Sequence, residues 1–188
     1  MQQTSGPIAI MRPRIEPGDR HQAGLFAWGF SQLSRVVTHT PPPNLFLTMG
    51  RQHKLFRGWL RFAGRLMPGG TLPRRETELT ILRVAHLRRC AYEFEHHVRL
   101  GKRAGVTGAD VDRIKAGPDA DGWTPRERAL LRAVDALHHA QDIDDATWSA
   151  LRTFLDEAAA IEFVMLVGHY EMLATFITTL RIQPDGSR

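Results

Sequence analysis

The stretch RETELTILRVAHLRRCAYEFEHHVRLGKRAG, Arg75 to Gly105, decides how the chain is read. Leu79, Leu82, His86 and Cys90 recur at helical spacing. After Cys90 a second register begins, in which Glu93, His97, Leu100 and Ala104 share a face. Residues three, four and seven apart stack on one side of a helix, so Cys90, Glu93 and His97 fall within reach of one bound molecule. The stretch thus predicts helix, and on it a thiol, a carboxylate and an imidazole aimed the same way.

The surrounding sequence supplies more helix and no alternation of strand type, so the expected class is all-α. Leu25, Trp28, Leu33, Val36 and Val37 predict a first helix over 21–39, stopped by Pro41-Pro42-Pro43. A short turn over 44–49 precedes a helix over 52–66, with Leu55, Trp59, Phe62 and Leu66 as its buried face and Arg51, Lys54, Arg57, Arg61 and Arg65 opposite. Pro73 opens the central element, and Thr107 caps a helix over 108–116. Thr124-Pro125 opens another helix, running to about Ala140. Asp144 or Asp145 caps the next, and a long apolar helix covers 157–180. LPRRETELTILRVAH and TPRERALLRAVDALH align Pro73 with Pro125 and His86 with His138, the trace of a duplicated helical unit.

At 188 residues and 43% hydrophobic content the chain suits one domain, placed at 21–182, with an arm over 1–20 and a tail over 183–188. The +5 formal charge comes from basic residues interleaved with acids, as in RRETELTILR, which reads as a solvated surface and not a nucleic-acid stripe. One cysteine excludes an internal disulfide, and no signal peptide is visible, so the expected location is cytoplasmic. Glu162, His169 and Glu171 argue against a membrane span over 157–180, since each charge at mid-bilayer costs about 2.5–3.5 kcal/mol.

Glu78, Cys90, Glu93 and His97 fall at the spacings of a family pattern: Glu, eleven residues, Cys, two residues, Cys, three residues, His, with Glu93 in place of the second cysteine. The sequence from about Pro42 to Leu180 resembles the carboxymuconolactone decarboxylase and alkylhydroperoxidase D-like superfamily. CAYEFEHH is similar to its decarboxylase-like branch, which often lacks the dithiol. The resemblance implies a helical bundle, a site at Glu78, Cys90, Glu93 and His97, no metal or other cofactor, and a homo-oligomer, trimer or hexamer.

The residues themselves allow several chemistries. Glu93, four before His97, would accept the imidazole N–H and raise its basicity, the arrangement of general acid–base catalysis. The bland alternative is a structural hydrogen bond. Cys90 follows Arg88 and Arg89, and neighbouring cations activate a thiol; its bland reading is core filler. Glu93, His97 and His86 are also compatible with a metal, although no HExxH occurs. Glu162 and His169, seven apart on the last helix, either bond structurally or face the same pocket. Tyr170 can donate to a substrate carboxylate or enolate, and Arg83 can hold a carboxylate. The first expectation is a cofactor-independent lyase or hydrolase acting on a small lactone or organic acid, with His97 as acid/base, Glu93 as its orienter and Glu78 on the pocket wall. The alternatives are a thiol peroxidase using Cys90 and a non-catalytic oligomeric scaffold.

Overall fold

The computed structural model describes residues 12–38 and 41–186. Much of the expected arm, residues 1–11, and the last two residues of the tail lie outside them. Among the described residues there are nine helices and no strand. They are α1 (Gly24–Thr38), α2 (Asn44–Met49), α3 (His53–Leu66), α4 (Arg74–Leu87), α5 (Ala91–Arg103), α6 (Gly108–Ala116), α7 (Pro125–Ala140), α8 (Asp145–Arg152) and α9 (Glu157–Leu180).

The chain forms two compact units, one of residues up to His53 with those from Thr178, the other Lys54–Ile177. In the first, α1 and α2 meet where Gly50 lets the chains approach: a Cβ there would stand 2.6 Å from Ala27 Cβ. Asn44 fixes the C-terminal segment, its side-chain amide donating to Gln183 O and Pro184 O and its backbone N–H to Asp185 Oδ1.

The second unit is built on α4, buried from Thr77 through Ala85. It packs against α5, α6 and α7. Leu79, Leu82, Val106, Ile114, Trp123 and Leu131 form one core cluster there. Each such side chain contributes about 1.5–3 kcal/mol on leaving water. The central stretch is two helices and not one: Arg89 has φ 52, the left-handed conformation that ends α4, and Cys90 becomes the N-cap of α5. The change of register after Cys90 in the sequence is this turn. Thr107 and Thr124 close full capping boxes, on Asp110 and Glu127.

The sequence echo is a pair of helices side by side. Arg75 bonds Glu127 and Arg83 bonds Asp135, each pair separated by the same 52 positions as Pro73 and Pro125. Equivalent positions therefore face each other along α4 and α7, which run parallel. This overturns the role expected of Arg83. Its Nε and Nη2 donate to Asp135 Oδ1 and Oδ2 at 2.6 and 2.7 Å, and Nη1 donates to Ile114 O at 2.6 Å. A guanidinium so occupied ties α4 to α6 and α7 and has no fork left for a substrate. Arg83→Ala should lower stability by on the order of 3 kcal/mol in urea unfolding, because Asp135 loses a largely buried partner. A loss below about 0.5 kcal/mol would show the pair to be a surface bridge.

The buried face of α3 also differs from expectation. Phe56 is fully buried and Leu66 nearly so, whereas Leu55 is 60% exposed and Phe62 37%. The helix is rotated toward Phe56, which leaves Leu55 and Phe62 at the edge of the basic row. By length and composition α9 could cross a membrane. Its inner side, including Phe163, Leu166, Val167, Tyr170 and Leu173, is instead protein core. It serves here as the core helix of an all-helical fold.

Candidate active site

Three helices bring the polar groups together. Glu78 projects from the second turn of α4 and is fully buried. Its Oε2 accepts a hydrogen bond from His97 Nδ1 on α5 at 2.8 Å. Its Oε1 accepts from Arg74 Nε and Nη2, at 2.9 and 2.7 Å. Burial alone would raise this carboxyl, but the hydrogen bond and charge of His97, followed by Arg74, hold it below its ordinary value. An ionised Glu78 only accepts, so His97 donates through Nδ1, and its other ring nitrogen is the one left for proton exchange.

The partner of His97 is therefore Glu78 and not Glu93, a correction to the expected i,i+4 pair. A longer reach between helices wins because Glu78 is held in place by Arg74. Glu93 is 3% exposed, and no N–H or hydroxyl group donates to its carboxylate. Burial pushes it up to about 8; the Cys90 thiol acts in the opposite direction and the charge of Glu171 adds to the rise. Glu171 is itself held by His138 Nδ1 at 2.7 Å and by Arg88 Nε at 3.4 Å. Cys90 is buried at the start of α5, one helical turn before Glu93.

From α9, Tyr170 packs its ring edge-to-face on His97, with centroids 5.2 Å apart, and on its neighbour His169, at 5.1 Å. Burial, then Glu93 and then Glu78 hold its phenol well above its ordinary value, so it stays a donor. His169 stacks on Trp59 and meets the edge of Phe62. Burial, and then the charge of His97, lower its pKa to about 4.

The structure therefore gathers Glu78, Cys90, Glu93, His97, His169 and Tyr170, and leaves out Arg83, His86 and Glu162. His86 lies 6.2 Å from Phe94 between ring centroids, and burial followed by the charges of Arg83 and Lys115 lowers its pKa. It is on the α6 and α7 side of α4, so the set Glu93, His97 and His86 is not assembled. Among the described residues no group of three or more His, Cys, Asp or Glu side chains is placed to hold a metal ion. Glu162 accepts from the backbone N–H groups of Thr71 and Leu72 and from Thr71 Oγ1, pinning the loop before α4. Sequence reasoning missed Arg74, although its position four residues before Glu78 is a helical pairing signal. It also gave Trp59 and Phe62 to the core without their contact with His169.

Residues 53–136 match the carboxymuconolactone decarboxylase family. No curated protein sequence matches the chain. Among solved structures, a peroxidase-related protein of Ralstonia eutropha JMP134 with an alkylhydroperoxidase AhpD core superposes with a TM-score of 0.79 at 18% identity, covering 94% of this chain and 95% of that one. A peroxidase-related protein of Silicibacter sp. TM1040 gives a TM-score of 0.78 at 13% identity, with 97% and 92% covered. The debrominase Bmp8, as a point variant in complex with 2,3,4-tribromopyrrole, gives 0.75 at 18% identity, with 94% of each chain covered. At these identities the structures are alike in fold. The family match lies, but for His53, within the second compact unit, and the fold it sits in is the AhpD-like helical fold of these structures.

Proposed function

We propose that the protein is a cytoplasmic, cofactor-independent acid–base enzyme, a lyase or hydrolase of the carboxymuconolactone decarboxylase type acting on a small lactone or organic acid. The observation that carries this reading is the pair of buried carboxyls around His97 and Tyr170. Glu78 is kept ionised by His97 and Arg74, while Glu93 is kept protonated by burial. Two titratable groups driven apart by their surroundings are the usual mark of a base and an acid in one site. In a decarboxylation the bond to the carboxylate breaks, its electrons pass to the enolate, and Glu93 supplies the proton that ends on carbon. Glu93 is then reprotonated from solvent. In a lactone hydrolysis His97 takes a proton from water and Glu93 gives one to the leaving oxygen. Glu78 stabilises the imidazolium that forms.

The second reading is a thiol peroxidase using Cys90. It is favoured by the seat of Cys90 at the N-terminus of α5 beside a protonated carboxyl, and by the peroxidase-related neighbours. Its sulfenic acid would need an external thiol, since no second cysteine exists. Organic hydroperoxide with an added dithiol separates the two. Turnover lost in Cys90→Ser and kept in Glu93→Gln would replace the acid–base reading with the peroxidase. Absence of any peroxide turnover removes the peroxidase. Conversion of no lactone, organic acid or hydroperoxide would leave a non-catalytic scaffold.

We further propose a homo-oligomer, trimer or hexamer. Ile161, Val164, Met165 and Met172 form an exposed apolar stripe on α9, each at least 38% exposed. Light scattering at micromolar concentration should give a multiple of 21.2 kDa. A single species at the monomer mass would end this proposal.

A further inference from the structure

From Arg20 to Arg75 the chain has nine Lys or Arg residues and no Asp or Glu, so this segment more than accounts for the formal charge of +5. The mixing of acids with bases seen in RRETELTILR begins only at its end, with Glu76. A charge so confined to one sign points to an anionic partner. The same segment also exposes large apolar side chains on two helices. On α1 the usual order is inverted. Its buried positions include the small residues Ala27 and Ser31, whereas Leu25, Phe26, Leu33 and Val36 face outward, Leu25 at 66% and Leu33 at 59% exposed. Their spacing places them on one side of the helix as a continuous apolar stripe. On α3 no acid occurs, and Lys54, Arg57, Arg61 and Arg65, three and four residues apart, are exposed in one row. Leu55 and Phe62, seven apart and both exposed, flank that row.

We propose that α1 and α3 bind the surface of an anionic lipid bilayer, each helix lying among the headgroups and not crossing them. Lys and Arg beside exposed Leu, Phe or Val make the composition that such an interface takes up. The apolar side chains enter the acyl boundary, and the cations meet lipid phosphates. A nucleic acid would account for the row on α3 but not for the stripe on α1, whose Leu and Val side chains give bases nothing to stack on. A second copy of the chain would cover the stripe, but two acid-free segments brought face to face repel. An anionic bilayer answers both the charge and the apolar surface. The contact between copies proposed for α9 uses other residues, and the acid–base reading is not needed here.

The full-length protein is sedimented at low ionic strength with vesicles of phosphatidylcholine alone and of phosphatidylcholine mixed with phosphatidylglycerol. It should go down with the mixed vesicles, stay in solution with phosphatidylcholine, and be released by added salt. Arg61→Gln with Arg65→Gln should weaken the partition about tenfold or more, since each cation near an anionic surface contributes several-fold. Leu25→Gln with Leu33→Gln should weaken it about tenfold by removing the inserted side chains. All four positions are exposed, so both variants should keep the wild-type circular dichroism. Equal sedimentation with both kinds of vesicle, sedimentation with neither, or undiminished partition in either variant would overturn the proposal. So would a leucine variant that falls from oligomer to monomer in light scattering, which would make α1 a contact between copies. A single-stranded oligonucleotide that displaces the wild type from mixed vesicles and binds the leucine variant equally well would reassign the basic row to nucleic acid and likewise overturn it. Binding is read without turnover, so failure of the acid–base reading would leave this result standing.

Discussion

Glu78→Gln should lower turnover by about 10²–10⁴-fold, the range spanned by loss of a positioned proton acceptor and by neutralising the carboxylate behind a catalytic histidine. The amide carbonyl can still accept from His97 Nδ1, so the ring stays near its place. What is lost is the negative charge opposite the imidazolium formed during reaction. Arg74 loses its charged partner too. The same substitution has a signature in stability. Because the folded-state pKa of Glu78 lies below its ordinary 4.5, its stabilising effect is full above about pH 4.5 and disappears as pH falls through the folded value. Wild type should therefore exceed Glu78→Gln in stability at pH 7 and approach it in acid. A deficit in turnover under about threefold, or a stability difference independent of pH, would show that Glu78 does not work through His97.

Glu93→Gln should have the opposite effect on stability. Glu93 is raised from 4.5 to about 8. The folded state thus holds a proton that the unfolded state has released, and wild-type stability falls as pH rises from 4.5 towards 8. At about 1.4 kcal/mol per unit the fall is on the order of 5 kcal/mol. Glutamine is uncharged throughout, so the variant should lack this slope and be the more stable protein at about pH 8. Its turnover should drop by about 10²-fold or more, since the proton donor is gone. Wild-type activity should likewise decline as pH rises through about 8. Parallel stability profiles for wild type and variant would mean that Glu93 is ionised like an ordinary surface carboxyl.

Helix positions were legible from the sequence because caps, prolines and apolar periods agree: α9 runs from Glu157 to Leu180 as its pattern implies. Thr107 and Thr124 likewise cap where expected. Pairing between helices was not legible. The spacing of Glu93 and His97 favours a local pair, but periodicity carries no information on how α4 lies against α5, and that contact gives His97 to Glu78. The same gap hid the fate of Arg83, whose partner lies 52 residues away. Glu162 looked like a buried site acid because its neighbours on α9 are apolar, and it is used by two backbone amides of the loop before α4. Phe62 and Trp59 fit the core period of α3 closely enough to mask their contact with His169. Family spacing, by contrast, picked out Glu78, Cys90, Glu93 and His97 as a set, and the fold brings all four to one region.

The proposed function divides two buried carboxyls into an acid and a base, and carbon NMR of protein labelled at the glutamate carboxyl carbons tests that division most directly. The titration runs from about pH 4 to about pH 10, with Glu93→Gln and Glu78→Gln assigning the signals. One carboxyl should titrate near pH 8 and be missing from Glu93→Gln, and the signal missing from Glu78→Gln should titrate below the ordinary glutamate value. If every glutamate carboxyl has titrated by about pH 6, Glu93 is not the proton donor and the acid–base assignment fails.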